Sequence, residues 1–302
     1  MRKILIDTDI GIDCDDAIAL ALAISLQKQG LIEIAGVSVV TAREGATEAV
    51  SAIFEYFNAS TDVGRYFGKD LECDKENVYA KAVKDKFGGK EYFEDSVKYL
   101  RRKLATSQDK ITLVAIGPLT NVASLLESEP DEISPLKGVD LVKNKVEALY
   151  SMGGNFVHVN AGEEFGIAEW NVFQDVNACK TIVNLCPVEL VFSPYETGYE
   201  VLTGKSFDFN DPVGYSIKMF FEAHPSEFCG KYVRCSWDPI AVAAAAGVDL
   251  LDYSEYGKVS VDSNGVMFFK KGKGKHRYLI KRVPANETEE ELEKLYSYIK
   301  NQ

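Results

Sequence analysis

The chain has 302 residues, 46% hydrophobic and 26% charged, with 46 acidic against 34 basic side chains and a net charge of −12. That length gives one large α/β domain or two average ones, with core enough to fold without disulfide staples. The acidic balance excludes a surface that grips nucleic acid or anionic lipid as a whole, and it suits a site for a metal cation. The N-terminal Met1-Arg2-Lys3-Ile4-Leu5-Ile6-Asp7 has charges but no apolar leader segment, so a cytoplasmic protein is expected. No stretch approaches the roughly 18 apolar residues of a membrane helix. Lys3 to Ile6 reads as a strand that stops at an acidic loop, and Asp16 to Ile24 as an Ala- and Leu-rich helix. Ile32 to Val40 is a β-branched buried strand, and Thr47 to Phe57 a helix. Lys110 to Ile116 is a second buried strand, closed by Gly117-Pro118, with a helix over Asn121 to Leu126. Val146 to Met152 is a strand ending at Gly153-Gly154, Val172 to Val183 a helix, and Val188 to Phe192 a strand. Near-continuous apolar strands alternating with helices predict an open, mostly parallel α/β sheet flanked by helices on both faces.

The last quarter differs. Lys258 to Asp262, Val266 to Lys270 and His276 to Lys281 read as short strands of a small antiparallel C-terminal extension. Lys270 to Lys275 reads as a solvated hairpin turn between two of them, in preference to an anion patch. Thr288 to Lys300 reads as a charged helix, with Thr288 and Glu291 at capping-box spacing. No internal repeat or long linker interrupts the chain, so residues 1–302 are read as a single domain. The cysteines Cys14, Cys73, Cys179, Cys186, Cys229 and Cys235 form no CxxC pair and read as buried free thiols. Among the three histidines, His276 reads as a surface residue, and His158 and His224 as loop residues near any site.

The chemistry concentrates after the first strand. Asp7-Thr8-Asp9-Ile10-Gly11-Ile12-Asp13-Cys14-Asp15-Asp16 puts five carboxylates in ten residues, between a strand and a helix. Ligands of parallel α/β sheets bind at the carboxyl ends of strands. Crowded carboxylates raise one another's pKa unless something neutralises them, and hard oxygen ligands select Ca²⁺ or Mg²⁺ rather than zinc. A solvated loop capping the next helix is the plainer alternative. An EF-hand fails, since Gly11 is fifth and Ile18 twelfth when counting from Asp7. A haloacid-dehalogenase-type D-x-D-x-[TV] opening fails at Gly11.

The opening resembles instead the D-x-D-P-G-x-D-D-A signature of the inosine-uridine nucleoside hydrolases. Ile10 replaces the proline, and two extra residues precede Asp15-Asp16-Ala17. Four later segments agree. Thr112 to Asn121 resembles "TLVxxGPLTN", Met152-Gly153-Gly154 "MGG", and Ala168 to Asp175 "AEFNxxxD", while Trp237-Asp238 stands at the late "HD" or "WD".

The resemblance implies hydrolysis of the N-glycosidic bond of a nucleoside by a Ca²⁺-dependent enzyme that forms a homodimer or homotetramer, while the N-terminus and acidic charge lead to the expectation of a cytoplasmic protein without nucleic-acid or membrane partners. It assigns Asp9 as general base and metal ligand, with Asp16, Asp238 and the Ile116 carbonyl as further ligands. Asp15, Glu169 and Asn171 would contact the ribose, and Asn155 or Asn160 would add an amide contact. Trp237 stands where some members have a histidine acid, which resembles the purine-preferring branch. Trp170 is a second base-pocket candidate. Asp7 is expected beneath the site, and Asp13 has no counterpart in the signature. Arg43 stands where the family commonly has a ribose-contacting asparagine, and a phosphate or carboxylate on the substrate is an alternative partner for it. Glu196 and Tyr199 are candidates for the pocket wall. A non-catalytic Ca²⁺-dependent nucleoside or sugar sensor is the alternative from another class. An aspartyl-phosphate enzyme at Asp7 is disfavoured by Gly11.

Overall fold

The computed structural model describes residues 1–69, 71, 75–162 and 165–299. In chain order, β1 (Arg2–Thr8) leads into α1 (Asp15–Lys28), β2 (Ile32–Val39), α2 (Ala46–Tyr56) and the short β3 (Val63–Gly64). Two helices, α3 (Ala80–Phe87) and α4 (Ser96–Thr106), precede β4 (Ile111–Ala115), α5 (Thr120–Glu127), α6 (Gly138–Lys145) and β5 (Val146–Met152). The chain continues through α7 (Val157–Ala161), α8 (Trp170–Gln174), α9 (Val176–Leu185), β6 (Glu189–Ser193), α10 (Tyr195–Gly198) and β7 (Leu202–Thr203). It then forms α11 (Pro212–Ala223), β8 (Arg234–Cys235), α12 (Trp237–Ala246) and β9 (Leu251–Tyr253). It closes with β10 (Gly257–Val261), β11 (Met267–Lys271), β12 (His276–Lys281) and α13 (Ala285–Ser297).

The main sheet runs β11-β10-β12-β6-β5-β4-β1-β2-β3, with β9 beside β12. Every pairing from β12 through β6, β5, β4, β1 and β2 to β3 is parallel. The antiparallel pairs, β10 with β11 and β12, and β9 with β12, lie at the C-terminal edge. Two apolar clusters cover the two faces. Ile4 and Ile6 of β1 belong to one and Leu5 to the other, as strand alternation requires. Helix α1 is buried from Asp15 to Leu26. Its alanines belong to the same apolar cluster as the alanines of α12, which packs against it. Small side chains on both let the helices approach closely and bring their N-termini together above β1. The chain leaves β1 towards β2 on one side, and β4 lies on the other, so the end of β1 is the topological switch point where ligands bind in such sheets.

Several readings change. The helix expected over 172–183 is broken into α8 and α9 at Asp175, whose side chain caps α9 by accepting from the Ala178 N–H at 2.9 Å. The 270–275 turn joins no hairpin, because β10 lies between β11 and β12. The partly apolar β12 fits beside β6, whereas Lys270 and Lys271 end β11 in solvent. Helix α13 starts three residues before Thr288, which is buried within it, and Pro284 is its N-cap, so no capping box forms. His276 is buried and its Nδ1 accepts from the Val259 N–H at 2.9 Å. Cys14 and Cys179 are buried, Cys186 and Cys235 half-buried and Cys229 exposed; Cys73 lies outside the described residues. No described helix is long and apolar enough to cross a membrane.

Candidate active site

A cavity of about 530 Å³ opens at the carboxyl ends of β1, β4 and β5. The loop after β1 contributes Asp9, Ile12, Asp13, Asp15 and Asp16, and Ile116 follows β4. Asp15 and Asp16 occupy the first turn of α1 and Asp238 the first turn of α12. Their carboxylate oxygens lie within 4.8 Å of one another, and each residue is at most 4% exposed. Asp15 Oδ2 accepts from the Asp238 backbone N–H at 3.2 Å, and Thr8 Oγ1 donates to Asp16 Oδ1. Two positive helix ends offset part of the repulsion. Burial, with the neighbouring carboxylates adding to it, still drives all three carboxyls well above the usual range. Three buried, oxygen-only donors drawn together in this way could hold a hard divalent cation.

Asp9 stands outside that trio but lines the same cavity. A Cβ on Gly117 would fall 2.7 Å from Asp9 Oδ1, so the glycine after Ile116 makes room for this carboxylate. Asp7 lies below, accepting from Ser38 Oγ and from Asn121 Nδ2 at 2.9 Å, and burial pushes its carboxyl up to about 7.

Opposite stand Glu169 and Asn171. They do not lie on an extended segment. Glu169 is the N-cap of α8 and Asn171 lies within it. The capping geometry turns the Glu169 carboxylate back onto the N–H groups of Asn171, Val172 and Gly154 at 3.0, 3.2 and 3.3 Å. Burial outweighs those bonds and pushes its carboxyl up to about 7. Asn171 Nδ2 donates to the Met152 carbonyl at 3.3 Å. Asn155 lines the cavity, whereas Asn160 is not among its lining residues and accepts from the Tyr278 hydroxyl at 2.9 Å.

The remaining wall is aromatic. The Trp237 indole N–H donates to the Tyr195 carbonyl at 2.9 Å, and the two rings stack at 5.5 Å and 27°. Trp170 rests on Phe173 and is 53% exposed at the rim.

The sequence model of the inosine-uridine preferring nucleoside hydrolases matches residues 4–288. The chain belongs to that family. A pyrimidine-specific ribonucleoside hydrolase, RihB, of Escherichia coli is 26% identical over 192 residues, 60% of this chain and 56% of that protein. An uncharacterized protein of Schizosaccharomyces pombe is 28% identical over 214 residues, 64% of this chain and 59% of that protein. The chain thus spans a little under three fifths of the length of these curated relatives. The inosine-uridine preferring nucleoside hydrolase from Bacillus anthracis superposes with a TM-score of 0.74 at 20% identity, over 99% of this chain and 100% of that one. A purine-preferring ribonucleoside hydrolase from Gardnerella vaginalis superposes with a TM-score of 0.70 at 16% identity, over the whole of both chains. At such identities the superpositions establish a shared fold.

Against the family signature, this nucleoside hydrolase relative uses its odd residues in unexpected places. Arg43 is not in the cavity wall. It is buried under the acidic loop, donating to the carbonyl oxygens of Asp9, Ile10 and Glu76, so it supports the loop's backbone. His158 lies under Gly166 and edge-on to Phe268, beside a neighbouring cavity of about 420 Å³ shared with Glu196 and Tyr199. His224 packs on Phe220 near Glu76. Neither histidine lines the central cavity. The inserted Asp13 does, held by a residue that sequence reasoning missed: Arg234 grips both its oxygens, from Nε at 2.8 Å and Nη2 at 2.6 Å. The partners are 221 positions apart, so no local spacing announces them. The available signal was an arginine three residues before Trp237.

Proposed function

We propose that the protein hydrolyses the N-glycosidic bond of ribonucleosides to free base and ribose, with Asp9 as general base. The observation that carries the reading is one cavity joining a buried carboxylate trio, Asp9, the Glu169–Asn171 pair and an aromatic wall. A glycosidic C–N bond breaks through an oxocarbenium-like state, in which C1′ becomes cationic and water attacks it. Asp9 takes the proton of that water. The surrounding carboxylates stabilise the positive charge on the sugar. Glu169 and Asn171 orient the ribose, and Glu169, fixed by three backbone N–H groups, presents a rigid edge. Asp15, which the resemblance assigns to the ribose, joins Asp16 and Asp238 in the trio that, with Asp9 and the Ile116 carbonyl beside it, would hold Ca²⁺. When bound, such a cation organises vicinal hydroxyls and lowers the pKa of water.

Purine nucleosides are the proposed preference. The support is the Trp237–Tyr195 stack, a broad face for a two-ring base. The Trp237 N–H is committed to a carbonyl and supplies no acid. A cytoplasmic homodimer or homotetramer completes the proposal, on the family resemblance alone. The test is release of free base from a nucleoside panel in Ca²⁺ and in excess chelator. Release from inosine with higher kcat/KM than from uridine, abolished by chelator, is expected. With metal bound, no base from any nucleoside overturns the hydrolase reading in favour of a binding protein. A kcat/KM for uridine at or above that for inosine overturns the purine preference.

A further inference from the structure

Cleavage leaves negative charge on the departing base, and the cavity described so far is acidic. Among its described lining residues Arg234 is the one cation. Its guanidinium lies between two rings, 4.5 Å from the Phe220 centroid and 5.0 Å from that of Trp237. Two carboxylates hold it further: Asp13 through Nε and Nη2, and Glu227 through Nη1 at 3.3 Å. An arginine has five N–H donors. These contacts take three, leaving two with no partner among the described residues. The side chain is 14% exposed, so the charge is rigid and largely desolvated at the edge of the base-stacking wall.

Resting on the nucleoside-hydrolysis reading, we infer that Arg234 stabilises the departing base and that Asp13 positions it. As the bond from C1′ breaks, its electron pair moves onto the base. The free N–H groups of Arg234 donate hydrogen bonds to the ring nitrogen or carbonyl oxygen that takes up the charge. Arg234 keeps its protons throughout. The water oxygen bonds to C1′, the water proton goes to Asp9, and the released base takes its own proton from solvent. A fixed charge here replaces a proton donor, and the Asp13 insertion holds it at the cavity.

The experiment compares wild type, Arg234→Met, Arg234→Lys and Asp13→Asn in Ca²⁺ on two substrates. One is inosine; the other is 4-nitrophenyl β-D-ribofuranoside, whose phenolate departs without help. Arg234→Met should lose about a hundredfold in kcat on inosine but less than about threefold on the nitrophenyl riboside. Arg234→Lys should recover part of the inosine loss. Asp13→Asn should show a smaller loss with the same substrate bias, in kcat more than in KM. Equal losses on both substrates assign Arg234 to packing and overturn the inference, as does an unchanged kcat on inosine. A wild type that cleaves neither substrate overturns the hydrolase reading itself, a result distinguishable from either.

Discussion

Gly117 has no side chain, and Asp9 occupies the space one would need. A Cβ at 117 would meet the Asp9 carboxylate and Cβ at 2.7–2.9 Å, with buried Ile116 on one flank. Gly117→Ala should therefore fold normally yet push the proposed base off line, lowering kcat at least about tenfold, since small misplacements of a reacting group are costly. Retention of full kcat would show that Asp9 tolerates displacement and is not the base. Asp9→Asn removes the proton acceptor without changing shape. It should lower turnover by about a hundredfold or more with an unchanged unfolding transition in chelator. A loss within about tenfold, a barrier change of only about 1.4 kcal/mol, removes Asp9 from that role. The placement of Asp9, Glu169, Asn171 and Asp238 at one cavity was legible in the sequence because each stands in a short block whose neighbours set its position. Arg43 and Asn160 were not, because which way a loop side chain turns is decided by distant partners, the Asp9 carbonyl and the Tyr278 hydroxyl.

The central parallel elements were readable because burial on both faces leaves a continuous apolar run, as in β1, β4 and β5. The C-terminal edge was not. Neighbours in sequence suggested neighbours in the sheet, yet β10 inserts between β11 and β12, and β10 meets β12 at the single pair Gly257–His276. Beyond that pair the His276 ring substitutes for the ladder, accepting from the Val259 N–H. His276→Ala leaves a buried N–H unpaired and should cost about 1–3 kcal/mol in denaturant unfolding. His276→Asn keeps an acceptor at the same reach and should restore much of that. Burial, with Lys258 adding to it, lowers the His276 pKa in the folded state. The unfolded chain then binds the proton first, so this contribution is complete above about pH 6.5 and declines as pH falls below it. Wild type should lose more stability than His276→Asn between about pH 7 and pH 5. Equal losses in the two proteins would show that His276 does not titrate with unfolding.

Across the whole molecule, the carboxylate trio joins the start of α1 to the start of α12, two elements separated by most of the chain. A cation bound there stabilises only the folded state. Its contribution should reach about 2.7 kcal/mol at a hundred times its Kd. Thermal unfolding with and without chelator checks this, and Asp238→Ala should abolish most of the difference. An equal calcium-dependent rise in Tm in Asp238→Ala would place the cation elsewhere. The chain contains two tryptophans, Trp170 on the exposed rim and Trp237 stacked on Tyr195, and both line the cavity. The intrinsic indole fluorescence of the protein therefore originates entirely at this one place. A ligand entering the cavity comes to lie beside one emitter or both, so its arrival and departure should be timed optically on the unlabelled native chain.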